Sequence, residues 1–127
     1  MSKDSRQVTI LLVEDNIDNR VIMQAWLEHA GYRVLFAHDG LTNISRALDE
    51  VPDVILMDVA LPGIDGWAAA ARLKADPRTE SIPIIALTAL ALPGDRRRVA
   101  ELKMEGYLVK PVGLARILEE VQRVLQS

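Results

Sequence analysis

The sequence contains no cysteine, one phenylalanine, two tyrosines and two tryptophans among 127 residues. Without cysteine there is no disulfide scaffold, no thiolate metal site and no cysteine nucleophile. The composition fits a reducing compartment. Basic residues are not in excess: 15 Lys and Arg against 18 Asp and Glu give a net charge of −3. That balance speaks against direct nucleic-acid binding, which favours a basic surface. The longest apolar run, Ile84 to Leu92, is interrupted by Thr88 and is too short to cross a bilayer. Residues 1–7 are polar and of mixed charge, without the apolar stretch of a signal peptide. The expectation is a cytoplasmic protein with no membrane partner, a polar N-terminal tail at 1–7 and one domain at 8–127.

What is present is half hydrophobic, enough to bury a core. Short apolar runs alternate with helical patterns. Val8 to Val13 is nearly continuous, as a parallel strand covered on both faces should be. Val34 to Ala37, Val54 to Met57, Ile84 to Leu87 and Tyr107 to Val109 follow. Between them, Ile22, Met23, Trp26, Leu27 and Ala30 recur at helical spacing, with Gly31 as a stop. Leu41, Ile44, Ala47, Leu48 and Val51 form a second helical pattern. Gly66 to Ala75 is alanine-rich, Gly94 to Met104 is charged, and Leu114 to Leu125 carries a clean apolar stripe. Five strand–helix units with buried strands predict an α/β fold. The usual solution is a flavodoxin-like (βα)5 doubly wound parallel sheet in the order 2-1-3-4-5.

Ligands in such sheets bind beyond the carboxyl ends of the strands. There the sequence places Glu14 and Asp15 after the first strand, Asp58 after the third, Thr88 after the fourth, and Lys110 after the fifth. Each alone has a plainer explanation. An aspartate after a strand is usually a helix cap, and a threonine in an apolar strand is usually a β-branched filler. Together, at one end of four strands, they describe a site. Three clustered carboxylates repel one another unless a cation is near. Mg2+ suits a few carboxylates with positions left for water and phosphate oxygens. Asp58 can then act as nucleophile on phosphorus, with Lys110 and Thr88 stabilising charge on the phosphoryl oxygens. Pro62 and Gly63 suit a tight turn, and Asp65 suits an N-cap. That loop would hold Asp58 and turn the Ala60 carbonyl toward the metal.

These residues resemble the receiver domains of two-component response regulators, in their single-domain, chemotaxis-regulator-like form. The likeness rests on Val13-Glu14-Asp15-Asn16, on Leu56-Met57-Asp58 with Leu61-Pro62-Gly63-Ile64-Asp65-Gly66, on Leu87-Thr88-Ala89, and on Gly106-Tyr107-Leu108-Val109-Lys110-Pro111. The resemblance implies a phosphorylation-controlled signalling switch. Asp58 would take the phosphoryl group from a phosphohistidine on a sensor histidine kinase or histidine phosphotransfer protein. Asp15 would bind Mg2+ directly and Glu14 through water. Thr88 and Tyr107 would be the switch pair, and Lys110 would contact the phosphoryl group across a cis Lys110-Pro111 peptide. The face of the fourth helix, fifth strand and fifth helix would meet a downstream protein target or serve phosphate relay. The first helix would dock the kinase, with Asn19, Arg20 and Gln24 exposed.

The chain departs from the family pattern at several positions. Ala60 cannot hydrogen-bond an attacking water and Leu90 is apolar, so self-dephosphorylation is not expected to be assisted there. Lys103 stands where a glycine commonly ends the fourth helix; a left-handed lysine costs roughly 1–2 kcal/mol. Arg96-Arg97-Arg98 opens that helix against its dipole, as a solvated face or as a site for an acidic partner. His29 and His38 are assigned no role, Trp26 is expected in the core, and Trp67 in core or rim packing. A phosphatase working through an aspartyl phosphate would carry a second Asp where Ala60 stands. A receiver that only binds partners would have lost site residues that are present here. A dinucleotide site is disfavoured because no GxGxxG or GxxxxGK sequence occurs.

Overall fold

Alternation within each strand sends successive apolar side chains to opposite faces, and two core layers result. Leu11, Val13, Ile55, Met57, Ile84 and Ala86 face one layer; Ile10, Leu12, Val54, Leu56, Ile85 and Leu87 face the other. The computed structural model describes residues 7–60, 65–89 and 93–126. The strands are β1 (Thr9–Val13), β2 (Arg33–Ala37), β3 (Val54–Asp58), β4 (Ile84–Thr88) and β5 (Gly106–Val109). They form one parallel sheet in the order β2-β1-β3-β4-β5, as the alternation predicts. The helices are α1 (Ile17–His29), α2 (Gly40–Glu50), α3 (Gly66–Ala75), α4 (Pro93–Glu101) and α5 (Leu114–Leu125). α2, α3 and α4 cover the first layer; α1 and α5 cover the second.

The helix starts are written locally. Asn16, Asp39 and Asp65 each accept a hydrogen bond from the backbone N–H three residues on, at 2.9, 2.7 and 2.8 Å. Each satisfies a donor that the first turn leaves open. The Pro62-Gly63 turn and Leu90 lie outside the described residues.

Two apolar stripes are narrower than expected. On α1 only Met23 and Leu27 are buried; Ile22 is 49% exposed and Ala30 is exposed, because the contact face points between them. On α2, Leu41 and Val51 are exposed, and Asn43 is buried in their stead with its amide on the Met57 sulfur at 3.1 Å. Trp26 is half-buried rather than core.

Two helices end in the same motif with different residues. At the end of α1, the N–H of Gly31 donates to the Glu28 carbonyl and that of Tyr32 to the Leu27 carbonyl, with Gly31 at φ +101°. At the end of α4, the N–H of Lys103 donates to the Ala100 carbonyl and that of Met104 to the Val99 carbonyl. Both are Schellman ends. Lys103 adopts φ 59° to make its own, so α4 closes at Glu101 rather than running to Met104. The left-handed lysine carries the strain that a glycine avoids. Lys103→Gly is expected to raise stability by about 1 kcal/mol, roughly 4 °C in Tm. An unchanged thermal melt would show that the strain is relieved elsewhere.

Candidate functional site

The site is assembled at the carboxyl end of the sheet from residues that end or follow β1, β3 and β5. Asp58 closes β3, whose two neighbours β1 and β4 bury it. Its Oδ1 accepts from the Ala60 N–H at 2.8 Å and its Oδ2 from the Lys110 ammonium at 2.6 Å. Glu14 follows β1, and its N–H bonds the Ala37 carbonyl of β2 at 3.0 Å. The Glu14 side chain is 1% exposed; Oε1 accepts from Lys110 at 2.8 Å and Oε2 from the Asn16 N–H at 3.2 Å. Asn16 therefore caps α1 while its backbone orients Glu14. Asp15 is exposed, and oxygen atoms of Glu14, Asp15 and Asp58 lie within 4.8 Å of one another.

Lys110 spans this cluster. Its N–H donates to the Thr88 carbonyl at 2.7 Å, which ties β5 to β4 at the site, and its peptide to Pro111 is cis. Burial pushes the ammonium down, but hydrogen bonds with Asp58 and Glu14 outweigh it and its pKa is raised. Burial pushes the Glu14 carboxyl up, more than its hydrogen bond to Lys110 lowers it. Burial decides the direction at Glu14, and the pairing with two carboxylates decides it at Lys110.

The donor set fits Mg2+. Hard carboxylate oxygens are gathered at one point, one of the carboxylates exposed, and no softer ligand joins them among the described residues. The two expected switch residues sit beside this cluster rather than in it. Thr88, 5% exposed, closes β4 on the face that α4 covers, as Ile84 and Ala86 do. Tyr107 packs half-buried against that same layer, and its hydroxyl is buried with no hydrogen-bond partner among the described residues.

Residues around the site depart from expectation in useful ways. Asn19 is exposed, but Arg20 and Gln24 are half-buried, and the Arg20 guanidinium stacks 4.2 Å above the Phe36 ring. A cleft of about 460 Å³ opens beside Lys110, walled by Asn19, Ile22, Met23 and Trp26 of α1 and by Pro111. The arginines of α4 are exposed, yet two have ring partners: Arg96 lies 5.9 Å from Tyr107 and Arg98 lies 5.3 Å from Trp67. Trp67 packs on the first layer, and both histidines are exposed. Asp95 was not legible as a site neighbour. An aspartate in the first turn of a helix reads as a dipole partner, but this one is 8% exposed and meets the Thr88 hydroxyl.

The chain is similar to known proteins in sequence and fold. Residues 10–122 match the family described as response regulator receiver domain. The polar-differentiation response regulator DivK of Brucella anthropi is 34% identical over 117 residues, 92% of this chain and 95% of that protein. The receiver domain of the sensor histidine kinase PA1611 from Pseudomonas aeruginosa PAO1 was crystallised with a magnesium ion coordinated in its active-site cleft. It is 40% identical, with a TM-score of 0.88 over 96% of this chain and 100% of that one. The chemotaxis protein CheY4 of Vibrio cholerae superposes with a TM-score of 0.89 at 29% identity, over 94% of this chain and 99% of that one.

Proposed function

Since this chain belongs to the response regulator receiver domains of two-component signalling, we propose that Asp58 is its phosphoacceptor. The donor is a phosphohistidine of a sensor histidine kinase or a histidine phosphotransfer protein. An Asp58 carboxylate oxygen forms the new P–O bond, the P–N bond breaks, and the released imidazole takes a proton from solvent. The Ala60 N–H holds the carboxylate in place. Lys110, 2.6 Å from Asp58, brings its positive charge to the transferring oxygens. Glu14, Asp15, Asp58 and the backbone carbonyl of Ala60 would hold Mg2+, which would supply further positive charge there. Thr88 and Tyr107 then respond to the phosphoryl group and alter the α4-β5-α5 face, through which a protein target is bound or phosphate relayed.

The observation that carries this reading is the convergence of Glu14, Asp58 and Lys110 from three different strands. The chain catalyses only its own phosphorylation and dephosphorylation. No bound substrate is needed beyond the donor's phosphoimidazole, and the cleft beside Lys110 offers α1 as the surface on which the donor protein docks. The half-exposed Ile22 lies at its rim. Ile22→Glu is therefore expected to slow transfer from a phosphorylated histidine phosphotransfer domain about tenfold, the equivalent of about 1.4 kcal/mol. Phosphorylation by acetyl phosphate, which needs no docking, should be unchanged. Equal slowing of both reactions would place the defect in the site and remove α1 as the docking element.

A further inference from the structure

Asp95 is given no part in the phosphoryl-acceptor chemistry described above. It lies in the first turn of α4 but is buried, 8% exposed, while its neighbours Gly94 and Arg96 are exposed. Its Oδ2 accepts a hydrogen bond from the Thr88 hydroxyl at 3.4 Å, a long contact between two buried side chains. A hydroxyl has one proton to donate. While that proton points at Asp95 it does not point at the end of β3. Asp95 also acts on Tyr107: burial first, and then the Asp95 charge, hold that phenol above its ordinary range. One carboxylate on α4 thus bonds Thr88 and bears electrostatically on Tyr107, the two residues expected to respond to phosphorylation.

We propose that Asp95 is a positioning residue that acts through Thr88. In the unmodified protein it holds the Thr88 hydroxyl toward α4. It competes with the phosphoryl oxygens at Asp58 for the single Thr88 proton. When the phosphoryl group wins, the tie between β4 and the first turn of α4 is released, and the outer face of α4 is free to shift. The event at Asp58 is thereby linked to a specific helix through the Thr88–Asp95 hydrogen bond. This inference rests on the reading of Asp58 as phosphoacceptor.

The test is a double-mutant cycle on binding of beryllofluoride, a phosphoryl mimic, in the presence of Mg2+ and followed by fluorine NMR. Removing the competitor with Asp95→Ala is expected to tighten binding about fivefold in the parent background. In the Thr88→Ala background the same substitution should change it by less than about twofold, because there is no proton to compete for. An equal shift in both backgrounds would mark a bare charge effect and overturn the proposal, as would no shift in either. Asp95→Asn keeps the side-chain shape if alanine loosens α4, and should give a shift of the same sign that also vanishes with Thr88→Ala. The Thr88 χ1 angle, read from three-bond couplings without any mimic, gives a second decision. It should be fixed in the parent and averaged in Asp95→Ala; a rotamer unchanged by the substitution overturns the proposal. Failure of the parent to bind beryllofluoride would strike the phosphoacceptor reading itself, and the Thr88 couplings would still decide the role of Asp95.

Discussion

A methyl group added at position 66 is expected to cost about 3 kcal/mol of stability. Gly66 opens α3 directly after the Asp65 cap, and its N–H donates to the Val59 carbonyl at 3.0 Å. An alanine Cβ would stand 2.5 Å from the Val59 Cα and 2.6 Å from the Asp58 carbonyl oxygen. Both neighbours are backbone, so no rotamer change relieves the overlap. Either α3 moves out or the chain after Asp58 moves, and in the second case the Ala60 N–H leaves the Asp58 carboxylate. Gly94→Ala is the internal control. Its Cβ would meet nothing within 4 Å, and in a helix alanine is favoured over glycine by about 1 kcal/mol. Urea denaturation should move the two variants in opposite directions. A loss below about 1 kcal/mol for Gly66→Ala would mean that the close approach of α3 to β3 is not fixed as described.

Magnesium is expected to stabilise the protein by about 2.7 kcal/mol at a hundred times its Kd. The carboxylates proposed to bind it are brought together by the fold and are separate in the unfolded chain, so the ion should select the folded state. Asp15→Asn should remove most of this gain, because Asp15 is the exposed member of the cluster and is not part of the Lys110 bridge. The dependence on pH has a definite sign. Burial holds the folded Glu14 carboxyl above its ordinary value of 4.5. The folded protein therefore keeps this proton to higher pH than the unfolded chain does. Without metal, this group favours the fold most at low pH, and its contribution declines as pH rises from 4.5 through the folded value. The metal requires the deprotonated carboxylate, so its stabilisation grows across that same window. Thermal melts with Mg2+ and with chelator at several pH values measure both effects. A metal gain that is flat with pH would separate Glu14 from the site.

The strands and the site were legible for the same reason. Buried parallel strands need unbroken apolar runs, so a charged or hydroxyl residue at the end of one is conspicuous; Glu14, Asp58, Thr88 and Lys110 each stand at such a break. Strand order followed from the alternation of elements and the handedness of crossovers. The amphipathic helices were harder. Ile22 and Leu41 keep the helical spacing of a buried stripe yet face solvent, because spacing fixes which residues share a face and not how wide the contact is. Asn43 was hidden for the converse reason: a polar residue between apolar ones reads as surface until a partner sulfur appears beside it. Asp95 read as no more than a dipole partner in the first turn of a helix. Its meaning depends on where the first turn of α4 lies relative to Thr88, a tertiary fact that spacing in the sequence does not encode. Gly66 was visible as the start of the alanine-rich helix after Asp65, while its cause, the approach of two backbones, belongs to packing.

Intact-protein mass after incubation with acetyl phosphate and Mg2+ tests the central reading most directly. It should show one added phosphoryl group on the parent, none on Asp58→Asn, and none when the metal is chelated. A phosphoryl group that still appears on Asp58→Asn, or a parent that neither gains one nor binds beryllofluoride, would contradict the assignment of Asp58 as phosphoacceptor.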